Sequence, residues 1–233
     1  QRTTRTELHA ESRFWSYDGV DVHYAIERAP GANAVVVFGP GFGAGAFQFE
    51  DVCRHVAEGG VDAIAMDWVG QGRSWPEGDM AGRNFGVETW ISQLTAFVEQ
   101  LDYSKVYVAG NSIGGLVAAS VAARSDKVAG CALLNPTPFW SFWGPGGSPF
   151  WDGALPAPRW VRALFETYWN AFRSRRNVEG LLGLVYGDAG KVTETLVSAI
   201  LAPTDRAPAL AAFCSVVFSP KSALALDEAT RAI

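Results

Sequence analysis

Apolar and polar positions change period several times along the chain. Residues 20–27 alternate with period two, which predicts a strand with one face turned inward. Residues 34–38, 62–66, 105–109 and 128–134 are short, nearly continuous apolar runs, the pattern of strands buried on both faces. Between them, residues 48–58, 88–101 and 114–124 carry apolar side chains at helical spacing; Ile91, Leu94, Phe97, Val98 and Leu101 share one face of the second. Strand alternating with helix predicts the α/β class, a mostly parallel sheet with helices on both faces.

The grammar changes at Pro136. Pro136, Pro138, Gly144, Pro145, Gly146, Gly147 and Pro149 signal a loop, and beyond Pro158 only helical patterns follow, over 159–172, 177–186, 192–201, 208–218 and from 223 onward. The chain therefore divides into an α/β core over 1–136 and a helical cap region over 137–233. No internal repeat or low-complexity tract interrupts either part.

Composition narrows the function classes. The 233 residues suit one large α/β domain carrying an insertion, at roughly 150 residues per domain. Charged residues are 18%, below the ~25% usual for soluble proteins, and the net charge is −5. No basic cluster is longer than Arg173 to Arg176, so the electrostatic footprint of a nucleic-acid binder is lacking. The most apolar stretch, 113–123, is broken by Gly114, Gly115 and Ser120 and is shorter than the ~18 residues of a membrane-spanning helix. Cys53, Cys131 and Cys214 are odd in number and far apart, which predicts buried thiols in a reducing compartment. The opening at Gln1 points to a segment preceding it.

The sharpest chemical signal is Gly110-Asn111-Ser112-Ile113-Gly114-Gly115, where a buried strand turns directly into a helix. This is G-x-S-x-G in the context of a nucleophile elbow, which holds a serine in strained backbone and needs glycines where neighbouring chain passes too close for a Cβ. Ser112 is the candidate nucleophile, and the N–H groups of Ile113 and of Phe42, in the loop Gly39-Pro40-Gly41-Phe42-Gly43, are the candidate oxyanion donors. That loop has no lysine or Ser/Thr at P-loop spacing, so phosphate binding is the weaker reading. Asp67, opening Asp67-Trp68-Val69-Gly70-Gln71-Gly72-Arg73-Ser74, reads as a carboxylate that organises its own loop.

Together these loops resemble the α/β-hydrolase superfamily. Pro40-Gly41-Phe42-Gly43, the run Phe47 to Glu50, the stretch Asp67 to Pro76, Gly110 to Gly115 and Leu134-Asn135-Pro136-Thr137-Pro138-Phe139-Trp140 are similar to the pheophytinase family, chloroplast esterases that remove phytol from magnesium-free chlorophyll pigment. The similarity continues at Val185-Tyr186-Gly187-Asp188 and Phe213 to Pro220. It implies an acyl-enzyme on Ser112, no metal or organic cofactor, a pheophytin- or chlorophyll-like ligand, chloroplast residence in stroma or at the thylakoid, and Phe139, Trp140, Phe142 and Trp143 as substrate-binding aromatics. Phe150, Trp151, Trp160 and Trp169 would line or support the same cap.

The triad of this superfamily runs Ser, acid, His, yet no histidine follows Ser112. His9 and His23 read as structural or exposed, His55 lies on the helix after the oxyanion loop, and Asp205, Asp227 and Glu228 fall in helical sequence. Asn135, after the sixth strand, is not acidic. The expectation is a chain that stops before the seventh strand, nearly inert as it stands. Either a longer polypeptide carries the acid and base, or a silent relative binds pigment or serves in a photosynthetic membrane complex. Peripheral thylakoid association, or a neighbouring chain covering the open sheet edge, follows from the same expectation. Carbon–carbon bond hydrolysis is a further alternative, since Gly-Asn-Ser-x-Gly-Gly elbows also resemble those of ring-fission hydrolases.

Overall fold

A computed structural model describes residues 10–78, 80–141, 143 and 148–233. Six strands form one sheet: β1 (Glu11–Tyr17), β2 (Val20–Glu27), β3 (Ala34–Gly39), β4 (Asp62–Met66), β5 (Lys105–Asn111) and β6 (Val128–Leu134). Their spatial order is β1-β2-β4-β3-β5-β6, with β2 antiparallel to both of its neighbours, β1 and β4, and the β4–β3, β3–β5 and β5–β6 pairs parallel. The sheet reverses strand order around β3, so the ends of β3 and β5 meet at the switch point where α/β proteins bind ligands.

The pleat sorts each buried strand between two cores. Val35, Val37, Ile64, Met66, Val106 and Val108 face α2 (Val87–Glu99) and α3 (Ile113–Ala122). Phe38, Ala63, Ala65 and Ala109 face α1 (Glu50–Glu58) through Phe49 and Cys53. Helices thus cover both sheet faces, as the α/β pattern predicts.

Three features depart from the sequence expectation. Strand β1 is additional: Trp15 and Tyr17 turn inward, Trp15 against Phe97 at 5.1 Å, while Phe14 stays outside. Strand β6 is not buried on both faces; Ala132 and Leu134 are exposed while Leu133 packs inward. Its apolar run reflects one buried face only, because α1 lies on β2 and β4 and β6 pairs with β5 alone among the described residues. The last helix, α8 (Leu226–Arg231), packs on α3 of the core. It follows a return in which Ser222 N–H donates to Trp140 O (3.0 Å) and Leu226 N–H to Pro138 O (2.8 Å).

Helices α4 (Arg159–Phe172), α5 (Arg175–Val185), α6 (Glu194–Leu201) and α7 (Ala209–Phe218) rise over the carboxyl ends of β3 and β5. Helix α7 joins the two layers. Its Ala209, Ala212 and Val216 belong to the main core, while Cys214, Val217 and Phe218 pack with Val161 of α4.

Asp67 is the buried pin of the loop after β4. Its carboxylate accepts from Ala46 N–H (2.6 Å), Arg73 N–H (2.8 Å) and His23 Nδ1 (2.9 Å). Arg73 donates to His23 Nε2 at 3.0 Å, so the imidazole proton sits on Nδ1, facing Asp67. Both residues are structural, as read from the sequence. Replacing Asp67 by Ala leaves these donors buried without an acceptor and is expected to cost about 3 kcal/mol, read as a lowered urea midpoint. Burial pushes the Cys53 and Cys214 thiols up to about 12 and raises that of Cys131. Ellman's reagent at pH 8 is therefore expected to titrate at most one thiol, Cys131, until denaturant is added.

Candidate active site

Ser112 stands between the last residue of β5 and the first of α3, with φ +54° and ψ −120°. A non-glycine residue holds that conformation only where its surroundings fix it. Here Ser112 N–H donates to Leu134 O (3.0 Å), and Ser112 O accepts from Thr137 N–H (3.0 Å) and Gly115 N–H (3.0 Å). The end of β6 thus braces the turn from both sides. A Cβ on Gly110 would lie 2.1 Å from Gly114 O, and one on Gly114 would lie 2.2 Å from Gly39 O. The elbow packs backbone on backbone, which is why the motif needs these glycines.

The loop after β3 is fixed from three directions. Gly41 N–H donates to Gln48 Oε1 (3.0 Å), Gly43 N–H to Gln71 Oε1 (2.9 Å), and Trp68 Nε1 to Pro40 O (2.8 Å). Gln48 also donates to Asn111 Oδ1 (2.9 Å), tying this loop to the residue before the serine. The N–H groups of Phe42 and Ile113 have no protein acceptor among the described residues. Ile113 opens α3, whose dipole places partial positive charge beside Ser112.

Ser112 opens into a cavity of about 420 Å³ roofed by the cap helices. Phe42, Trp75, Trp169, Phe172, Phe213 and Leu181 supply much of its apolar wall, and Gln48, Gln71, Asn111 and Arg173 are polar members. Among the described residues, no histidine or carboxylate lines it. The Ser112 hydroxyl lies 3.2 Å from Thr137 Oγ1. His23 is held at Asp67, and His55 is exposed on α1 with Nδ1 2.6 Å from Asp51 O; His9 lies outside the described residues. Asp205 pairs with Arg173, Asp227 with Arg231, and Glu228 accepts from Ala225 N–H.

The aromatic residues expected to bind substrate are placed differently. Trp140 touches the Phe42 ring at 5.9 Å but is not in the cavity wall; its indole donates to Val216 O (3.1 Å) and Ser219 Oγ (3.0 Å) and so locks α7 to the core. Trp143 packs on Phe218 at 4.8 Å, and Phe139 lies under Lys221 Nζ at 5.9 Å, both away from the cavity. Phe142 lies outside the described residues. Trp151 and Trp160 pack around Phe218, and Phe150 on Trp160; of the seven described aromatics from Phe139 to Trp169 named above, Trp169 reaches the wall. Sequence reading overlooked the apolar stripe Val178, Leu181, Leu182 and Val185, although its helical spacing announced a face needing a partner. Gln48 and Gln71 carried no sequence signal, because their role depends on a loop folded beside them.

Comparison with known proteins agrees with this geometry. The family model described as the alpha/beta hydrolase fold matches residues 34–179. The chain is 31% identical over 246 residues to chloroplastic pheophytinase of Arabidopsis thaliana, covering 89% of this chain and 50% of that protein. It thus spans about half the length of the curated relatives it matches. Among solved structures, Cfl2 of Burkholderia cenocepacia matches with TM-score 0.67 at 20% identity, covering 96% of this chain and 74% of that one. The epoxide hydrolase CorEH matches with TM-score 0.66 at 21% identity, covering 89% and 73%.

The contact across the elbow is open to a direct test. Gly114→Ala would drive a methyl group into Gly39 O and is expected to prevent folding or to cost more than about 3 kcal/mol, whereas Gly31→Ala, in open space at positive φ, should cost only about 1 kcal/mol by thermal melt. Strand order, a serine at positive φ between β5 and α3, and the matched family model converge: the chain belongs to the α/β-hydrolase fold family.

Proposed function

We propose that the protein is a serine ester hydrolase acting on a bulky hydrophobic ester of the pheophytin type, with Ser112 as nucleophile. The observation that carries this reading is the strained Ser112 facing an apolar cavity beside two unpaired N–H groups. Ser112 Oγ attacks the ester carbonyl carbon, the carbonyl oxygen becomes an oxyanion held by the Phe42 and Ile113 N–H groups, and collapse expels the alcohol. Water then attacks the acyl-serine and releases the acid. A general base must take the Ser112 proton and return it to the leaving alkoxide; neither His23 nor His55 is placed to do so.

The substrate class rests on two supports. One is the similarity to the Arabidopsis pheophytinase, which also supports chloroplast residence. The other is the cavity's character, apolar walls with a few polar groups, suited to a flat or long hydrophobic ligand. Phe172, Leu181 and Val185 line the cavity and are exposed at its rim, so a ligand longer than the cavity would emerge past them.

The test is hydrolysis of pheophytin by the full-length protein, followed as phytol release. Ser112→Ala is expected to lower turnover on the order of 10⁶-fold. A fluorophosphonate should label the wild type at Ser112 and leave the variant unlabelled. Pigment binding with unlabelled wild-type serine would replace this reading with a catalytically silent binding protein.

A further inference from the structure

The outer side of the cap exposes several large apolar side chains, the kind of surface that marks an interaction site where it is contiguous. On α4 and α5, Leu184 is 85% exposed, Val185 78%, Tyr168 62%, Leu181 48% and Phe172 46%. Three of these, Phe172, Leu181 and Val185, also line the cavity, so the exposed surface meets the opening over Ser112. The arrangement differs from scattered surface hydrophobes: it is a greasy rim around one opening.

Charge points to the occupant. Residues 159–206 hold seven Lys/Arg and five Asp/Glu, a net +2 on a chain of net −5, so the remainder carries −7. Three of the seven, Arg173, Arg175 and Arg176, sit at the turn between α4 and α5, beside Phe172. Arg173 pairs with Asp205 and Arg175 with Glu194 and Glu179, while Arg176 has no carboxylate partner among the described residues. Exposed Leu, Val and aromatic residues on helices that also carry arginines form a surface suited to the interface of an anionic bilayer, apolar side chains among the acyl chains and guanidinium groups at the headgroups.

We propose that the α4–α5 face docks on an anionic lipid surface and that a lipophilic ester passes from the bilayer across Leu184, Val185 and Leu181 into the cavity. This goes beyond the esterase reading, and rests on it only for the identity of the traveller. Docking would also leave room for a ligand longer than the cavity, its remainder staying in lipid.

The experiment is co-sedimentation of the full-length protein with vesicles of phosphatidylcholine containing one third phosphatidylglycerol, against pure phosphatidylcholine. Binding is expected to the anionic vesicles, weakening as salt is raised. Leu184→Asp combined with Val185→Asp is expected to lower it about tenfold or more without changing the thermal midpoint, because both side chains stand in water. Val52→Asp, an exposed apolar position on α1, should leave binding unchanged. No vesicle binding, binding indifferent to the double variant, or a dimer in solution that this variant dissociates would overturn the proposal, the last assigning the patch to a second copy. Repeating the sedimentation with Ser112→Ala separates the two readings, since loss of esterase activity alone leaves vesicle binding intact.

Discussion

Everything at the active site depends on one close contact, the passage of the α3 amino end over the loop that follows β3. Gly114 meets the carbonyls of Gly39 and Pro40 with no room for a side chain, and Gly110 meets Gly114 from the other side. This approach lets β5 turn into α3 with one residue between them, and that residue is left at positive φ. The strain at Ser112 is held by backbone at the end of β6, through Leu134, and just beyond it, through Thr137, so the conformation of this serine depends on the neighbouring strand as well as on its own turn.

A second set of contacts sets the height of the roof. Trp140 is spent on the joint between cap and core, with its indole N–H on α7 and its ring on Phe42. Ser215, on the same helix, accepts from Phe85 N–H (2.8 Å) and donates to Gly153 O (2.6 Å), fastening the helix to two loops. Because α7 is anchored in this way, Phe213 can face inward while Phe218 gathers Trp143, Trp151 and Trp160 behind it. The aromatic excess of the chain is therefore divided among the main core, with Trp68, Phe85, Trp90 and Phe97, the cap's own packing around Phe218, and the cavity wall.

The polar side chains at the base of the cavity are fixed before any ligand arrives. Gln48 and Gln71 each take a loop N–H, and Gln48 passes the restraint on to Asn111. Between them, the Phe42 N–H has no protein acceptor among the described residues, while the Gly41 and Gly43 amides on either side are satisfied. Donors held in advance avoid reorganisation when charge develops on a bound ester, which is where oxyanion stabilisation gains its strength.

The sequence by itself determined five of the six strands, the order of helices and the elbow, because local periodicity and glycine chemistry are properties of short segments. The placing of Ser112 and Ile113 at a strand-to-helix turn was legible for the same reason: the motif needs its glycines wherever it occurs. Strand β1 was not legible, since its inward residues Trp15 and Tyr17 gain their meaning only from pairing with β2 and packing near Phe97. Only the tertiary structure decided which aromatics face the cavity. Phe139, Trp140 and Trp143 sit in the stretch that looked most like a binding surface, but Trp169, Phe172 and Phe213 reach the space above Ser112. A side chain's direction into a cavity is set by how α4 and α7 cross and by the anchor at Trp140, which are long-range packing relations that no local pattern encodes.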